Sequence, residues 1–167
     1  IVFKAESNED GVKVEGKQKE SKNFRNLTIK VEILVPESYN IKLYSAGGSF
    51  SVKNIKGIIE ANTSGGNIKI ENTIGNLTAH TAGGNVTIEN SNGNIEATTS
   101  GGSVSINGFD GNVDVSTAGG HISMIGSNGK VEASTAGGNI MLDYSGKNLG
   151  IEMSTLGGNI SATLPTD

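Results

Sequence analysis

Gly-Gly pairs recur along this chain at a fixed spacing. Six pairs are 18 residues apart, and a seventh follows after 20 residues. The pairs begin at Gly47, Gly65, Gly83, Gly101, Gly119, Gly137 and Gly157. A period in this range is typical of repeat proteins, in which each repeat packs against its neighbours. This repeat constrains the fold more strongly than any other feature of the sequence.

Each unit of 18 residues divides into two halves of nine, as in GGNIKIENT and IGNLTAHTA over residues 65–82. Apolar residues such as Ile68 and Ile70 take every second position, which is the period of a β-strand and not of a helix. The same four apolar columns return in every unit. We therefore predict an all-β fold: a single-stranded parallel β-solenoid, or β-helix, with 18-residue coils and two short strands per coil.

The predicted interior is thin and pairs small side chains with large ones. One apolar column consists mainly of alanine, at Ala61, Ala79, Ala97 and Ala133, and it faces columns of Ile, Leu and Val. Because such an interior has no spare volume, Ala97→Phe should overfill it.

The glycine and threonine columns are predicted to be structural. Glycine supplies the positive φ that a tight corner needs, and Asn tolerates it next best. Threonine hydroxyls beside the corner should hydrogen-bond along the column or cap corner amides. The predicted structural residues are Gly65, Gly66, Gly83, Gly84, Gly101, Gly102, Gly119, Gly120, Gly137 and Gly138, with Thr63, Thr81, Thr99, Thr117, Thr135 and Thr155.

The chain is predicted to be one domain over residues 1–167, with capping strands in 1–44 and about seven coils in 45–167. Strands are expected in 1–5, from residue 12, and in 27–36, with a charged loop or hairpin at 16–26. Two extra residues in 142–150 lengthen one corner. The apolar alternation at the amino end indicates strands that cover the first coil, since an uncovered solenoid end is a free strand edge.

Composition excludes several classes of protein. With no cysteine, the chain has neither a disulfide framework nor a thiolate metal site. No apolar run approaches the length of a membrane span.

Residues 1–56 carry ten Lys and Arg against seven acids, whereas 57–167 carry three Lys against ten acids. A basic groove for nucleic acid along the coils is therefore not expected. The chain also begins inside a predicted strand, which suggests that a targeting segment has been removed.

An acidic column is expected on an outward position of the coils. Its members are Glu60, Thr78, Glu96, Asp114, Glu132 and Glu152. Successive rungs lie about 4.8 Å apart, so like charges should repel, raise pKa values or attract a cation. The column is interpreted either as a solvated face or as a stripe, comprising Glu96, Asp114, Glu132 and Glu152, that binds divalent cations or a basic partner. No other metal site and no cofactor is predicted.

Other sites of known type are not expected. The calcium-binding nonapeptide GGxGxDxUx needs Gly and Asp where this chain has Ile68 and Ile70. His80 and His121 fall in different halves of the repeat, so they do not indicate a shared site. Ice binding would need a wide threonine array, and only one column is uniformly Thr. Acidic pairs lack a cleft and a neighbouring base, so the chain is not expected to be an enzyme.

The pattern VP....I.L..AGG over residues 35–48, followed by coils of the form G-x-(I/V)-x-(A/V)-x-T-(S/A)-G-G-x-(I/V), resembles a bacterial adhesin-like family. Its members are envelope-associated β-solenoid domains, largely of unknown function. The resemblance covers roughly residues 27–164. It implies a right-handed solenoid, exported to the cell surface or periplasm and often part of an anchored protein. It supplies no catalytic residues.

The leading functional expectation is a non-enzymatic surface or periplasmic solenoid that adheres to a protein or glycan. A membrane would be contacted only through an anchor outside this sequence. The alternative is an envelope scaffold that self-associates end to end. A third reading, a polysaccharide-processing enzyme, needs an aromatic groove, for which the candidates Phe24, Phe109, Tyr39 and Tyr144 are scattered along the chain.

Overall fold

The computed structural model describes residues 2–8, 11–17, 31–147 and 149–166. Within these ranges the chain forms strands and no helix, so it offers no helix long and apolar enough to cross a membrane. The chain divides into two compact units, Ile1–Leu34 and Val35–Asp167, and one continuous domain stays a prediction. The first unit lacks the 18-residue repeat and the second carries it.

The first unit contains an antiparallel hairpin. It is formed by β1 (Val2–Asn8) and β2 (Gly11–Lys17), which pair from Asn8↔Gly11 to Val2↔Lys17. The two strands predicted at 1–5 and from residue 12 are therefore confirmed, and both extend further than predicted. The capping role of residues 1–44 stays a prediction, and 18–26 of the predicted loop lies outside the described residues.

The strand predicted over 27–36 is wrong in the part that the structure describes. Residues 31–36 form no strand, and 27–30 lie outside the described residues. Leu34 is 92% exposed and its apolar neighbours Val31 and Ile33 are about half exposed. Alternation alone does not make a strand when no sheet accepts the apolar face, and Pro36 removes a backbone donor.

The second unit is a solenoid of two parallel sheets with seven strands each. Each coil contributes one short and one long strand. The short strands are β3 (Ile41–Ser45), β5 (Ile59–Thr63), β7 (Leu77–Thr81), β9 (Ile95–Thr99), β11 (Val113–Thr117), β13 (Val131–Thr135) and β15 (Ile151–Thr155). The long strands are β4 (Phe50–Lys56), β6 (Ile68–Ile74), β8 (Val86–Asn92), β10 (Val104–Asp110), β12 (Ile122–Ser127), β14 (Ile140–Ser145) and β16 (Ile160–Thr163). The predicted β-solenoid with about seven coils is confirmed.

Every strand of the solenoid pairs with its counterpart in the next coil, and the register is constant except between β10 and β12, where it shifts by one residue after Asn107. Leu77 lies opposite Ile95, and Ile95 opposite Val113, so each step along a column is 18 residues. After the two-residue insertion the step becomes 20, as in Val131↔Ile151. Because the side-chain period of a strand is two, in-register stacking keeps the inward residues of successive coils in common columns, and the outward residues likewise.

The interior has six columns of side chains, two more than the sequence pattern indicated. The predicted alanine column is fully buried at Ala61, Ala79 and Ala97. The additional columns are the corner threonines and a column that contains the sixth residues of β4, β6, β8 and β10, with Tyr144, the fifth residue of β14. In the coil of residues 59–76 the buried side chains are Ile59, Ala61, Thr63, Ile68, Ile70 and Thr73.

Candidate functional site

The second glycine of each doublet is needed because neighbouring coils approach closely. A Cβ added to Gly84 would lie 2.0 Å from the backbone oxygen of Gly66, whereas at Gly83 the nearest atom would be 3.7 Å away. No doublet glycine is among the residues with positive φ. The expectation that the doublets supply positive φ is therefore wrong. That role belongs to the other corner, for example to Gly75 and Gly93, each with φ of 128°.

The threonine column is buried and connects consecutive coils. Thr99 Oγ1 donates to the carbonyl of Gly84 in the preceding coil at 2.8 Å and accepts from the amide of Gly102 at 3.2 Å. The hydroxyls thus cap corner amides, and they bond to glycine carbonyls instead of to one another. Equivalent pairs of bonds are made by Thr63, Thr81, Thr117, Thr135 and Thr155. Because most of this column is buried, it presents no flat hydroxyl face to ice.

The structure places the acidic column on the outward side of the short strands. Glu60, Thr78, Glu96, Asp114, Glu132 and Glu152 are consecutive register partners. Partial burial, with the carboxylates of Glu132 and Glu96, raises the pKa of Asp114. At the other end of the column, hydrogen bonds from Tyr44 and Lys42 lower the pKa of Glu60.

A basic residue does lie beside the acidic column, contrary to expectation. Lys130 forms an ion pair with Glu132 and slightly offsets the rise in the pKa of Asp114. A groove of about 500 Å³ runs along this region; it is lined by Asn76, Leu77, Thr78, Asn94, Ile95, Glu96, Asn112, Val113, Asp114, Lys130 and Glu132. A carboxyl with a raised pKa beside other carboxylates can take part in acid–base chemistry. The groove is nevertheless open to water, which favours binding over catalysis.

The carboxylates do not converge on a point. Among the residues that the structure describes, no group of three or more His, Cys, Asp or Glu side chains could hold a metal ion. Ile68 and Ile70, where the calcium nonapeptide needs Gly and Asp, are buried in the interior.

The two histidines lie on different surfaces. His80 projects from β7 beside the acidic column, with Nε2 3.7 Å from Glu96 Oε1. His121 lies in a corner, where its Nδ1 accepts a hydrogen bond of 2.9 Å from the amide of Asn139. The latter contact repeats in other coils, as in the bond from the amide of Asn85 to Asn67 Oδ1. His121 therefore replaces an asparagine in a structural column.

Two of the four aromatic residues considered for a groove are buried. Phe109 and Tyr144 are buried, with ring centroids 6.4 Å apart. Gly126 makes room for them, since a Cβ there would lie 2.3 Å from the Phe109 ring. Tyr144 Oη accepts a hydrogen bond from the amide of Gly129 and lies 2.8 Å from the carbonyl oxygen of Lys147. These contacts stabilise the corner that carries the insertion. Phe24 lies outside the described residues.

A family model described as Toastrack DUF4097 matches residues 2–167. The chain belongs to this family. No curated protein and no solved structure matches it. The family match agrees with the observed solenoid fold. It also agrees with the resemblance, drawn from the repeat motif, to a solenoid family of unknown function. The adhesin role stays a proposal.

One surface of this Toastrack domain was missed by the sequence analysis. Asn54, Asn72 and Asn90 have positive φ, at 58°, 55° and 53°. Asn72 Nδ2 donates to Asn54 Oδ1 at 3.1 Å, and Asn90 Nδ2 donates to Asn72 Oδ1 at 3.1 Å. The signal was present in the sequence, because these asparagines recur every 18 residues and Asn tolerates the left-handed region.

These three asparagines border a second open groove, of about 510 Å³. Its lining is Glu37, Asn54, Lys56, Asn72, Thr73, Ile74, Asn90, Ser91, Asn92 and Gly108. Nearby on the same sheet, Glu71 Oε2 lies 2.6 Å from Lys53 Nζ and Glu71 Oε1 lies 3.3 Å from Lys69 Nζ. These two lysines lower the pKa of Glu71, so it stays ionised and paired.

Proposed function

We propose that this Toastrack domain is a non-enzymatic binding domain of the bacterial cell envelope, exported to the surface or periplasm. Its regular polar faces would adhere to a protein or glycan. One observation carries the proposal: the register of the two sheets arranges outward residues in straight columns, several of which consist mainly of polar residues. A partner that is itself repetitive could form the same contact on several rungs, which raises its total affinity.

The position of the two grooves supports this proposal. Both lie open on the outside of the solenoid and are lined mainly by Asn, Thr, Ser and charged side chains. The apolar residues fill the interior. Recognition would therefore use hydrogen bonds and charge along an extended surface, as extended solenoid surfaces commonly do.

The test is a binding screen with the whole chain. Labelled protein is applied to a glycan array and to a panel of extracellular matrix proteins, beside an unrelated β-solenoid of the same net charge of -4. Binding well above the reference solenoid is expected for at least one class of ligand. If no spot exceeds the reference, the adhesion proposal fails.

The location is tested separately in the native host. Tagged full-length protein should be degraded when protease is added to intact cells, or to cells whose outer layer has been made permeable. Protection in both preparations would contradict export.

The exposure of the last coil favours a second candidate, an envelope scaffold that associates end to end. Every residue of β16 is exposed, including Ile160 at 45%. Stacking of a further coil would cover such side chains.

Light scattering of the 167-residue chain should then show a molecular mass that rises with protein concentration. Ile160→Lys should make this rise smaller. The matched control is Met141→Lys, on an outward sheet position. A constant monomer mass would exclude the scaffold.

A further inference from the structure

We propose that the groove beside Asn54, Asn72 and Asn90, here called the asparagine groove, binds a neutral oligosaccharide. The inference rests on the proposed function and specifies one site and one class of ligand for it. It starts from the backbone of the long strands. The pairing of β4 with β6 passes from Lys53↔Glu71 directly to Ile55↔Thr73, so Asn54 and Asn72 stand outside the ladder of paired residues.

The amides of the asparagine groove retain capacity for hydrogen bonding. Each asparagine amide has two N–H donors and an oxygen that can accept two bonds. The ladder between Asn54, Asn72 and Asn90 uses one donor and one acceptor of Asn72. All three side chains are exposed, so a ligand can approach the donors and acceptors that remain. A ligand with closely spaced hydroxyl groups could bond to successive rungs.

The charge of the groove favours a neutral ligand. Lys56 Nζ lies 2.8 Å from Glu37 Oε1, so the groove's cation and anion neutralise each other at one end. The remaining lining is uncharged. A phosphate, a sulfated glycan or a basic peptide would find no uncompensated opposite charge there.

The shape and the one apolar wall favour a sugar chain over a peptide. Ile74 is 52% exposed and lines the groove between the amides, where it can contact the C–H face of a sugar ring. The groove volume of about 510 Å³ falls in the range of ligand sites. On an extended peptide, side chains on one face recur about every 6.6 Å, against about 4.8 Å between rungs, so a peptide lying along the groove would lose register.

The groove ends where the amide column ends. In β10 the corresponding residue is Gly108, which keeps a positive φ of 78° without a side-chain amide. This natural replacement provides the test variant. Asn72→Gly should preserve the left-handed backbone, as Gly108 does, while removing the central amide. Asn85→Ser is the matched control, because Asn85 lines neither groove and accepts from the amide of Ser103 in a different column, where Ser103 takes the same role in the next coil.

The experiment is an NMR titration of the whole 15N-labelled chain. The probes are cellotetraose and chitotetraose, with the peptide Gly-Ser-Gly-Ser as comparison. We expect a neutral sugar to shift the side-chain amide signals of Asn72 and Asn90 at millimolar concentration. Asn72→Gly should weaken this binding by about tenfold, the effect of losing one or two hydrogen bonds. Asn85→Ser should leave it unchanged, and both variants should melt as cooperatively as the parent.

The outcomes separate this site from the proposed function. If neither sugar moves the asparagine signals, or if Asn72→Gly binds as well as the parent, the site assignment is wrong. It is also wrong if the peptide shifts the same signals as strongly as the sugars. Array binding that survives Asn72→Gly would retain the adhesion function while overturning this site. Loss of array binding in Asn72→Gly but not in Asn85→Ser would support both.

Discussion

At the scale of single residues, the two glycines of a doublet have different roles although the sequence repeats them together. The second glycine lies against the backbone of the preceding coil, and the first has room for a methyl group. A clash with backbone cannot be relieved by a side-chain rotation, so the two positions should differ sharply on substitution.

Gly84→Ala should destabilise the chain by at least about 3 kcal/mol, because the new Cβ would overlap a backbone carbonyl. Gly83→Ala should change the free energy of unfolding by less than about 1 kcal/mol. Urea denaturation followed by circular dichroism gives both values. Equal losses for the two variants would contradict the close-approach argument.

The buried threonine hydroxyls make a second residue-scale prediction. Thr99→Val keeps the volume of the side chain but leaves the Gly84 carbonyl and the Gly102 amide without their partner. Unsatisfied buried groups of this kind cost about 1 to 3 kcal/mol. Thr99→Ser keeps the hydroxyl and should lose less, as Ser45 in the first coil also caps its glycine amide. A smaller loss for valine than for serine would count against the capping role.

At the scale of strands and columns, the outward position of the short strands concentrates negative charge. Because burial and the Glu132 and Glu96 carboxylates raise the pKa of Asp114 above 3.8, the folded protein binds a proton more readily than the unfolded chain. The free energy of unfolding therefore falls as pH rises from about 3.8 through the folded-state pKa of this group.

Asp114→Asn should consequently stabilise the protein at neutral pH and flatten the fall in stability between acidic and neutral pH. Thermal melting over this pH range, at low and high salt, measures the effect, and salt should reduce it. Asp143→Asn, on the other sheet, is the matched control. If both variants shifted melting equally at neutral pH, repulsion within the column would not be the cause.

The alanine column makes an element-scale prediction about packing. Ala97 is completely buried between Ala79 and Val115 in neighbouring coils. Ala97→Phe should cost more than about 3 kcal/mol or prevent folding, since the two sheets would have to separate. Ala97→Val, which copies the side chain of Val115, should be tolerated better. The denaturation midpoints of the two variants test this prediction. Similar midpoints would mean that the interior can accommodate a larger side chain at this position.

At the scale of the whole molecule, each coil contacts only its neighbours, so the solenoid should tolerate the loss of a whole coil. Deleting residues 83–100 removes 18 residues and joins one corner to the next with the register intact. We expect a six-coil solenoid that unfolds cooperatively with a smaller denaturant slope, since less surface is exposed on unfolding.

Deleting residues 83–91 is the control for this experiment. Removing nine residues would place short-strand sequences in the long-strand sheet, so the corners and bulges would no longer align. This variant should fail to fold cooperatively. Cooperative unfolding of both deletions would show that the 18-residue register is not what holds the coils together.

The sequence by itself determined the β-solenoid, the 18-residue coil, the alanine interior and the acidic column. It could do so because a side-chain period of two and a fixed repeat length place residues in columns without reference to any other contact. Both corners are rich in glycine, and only the tertiary structure decided what their residues do. The doublet glycines permit close approach of backbones, the threonines bridge coils, and the asparagines occupy left-handed bulges. These roles depend on distances between coils, which a linear pattern does not contain. For the same reason the asparagine groove emerged only from the folded chain: its walls come from residues 18 apart whose backbone conformation the alternating pattern does not reveal.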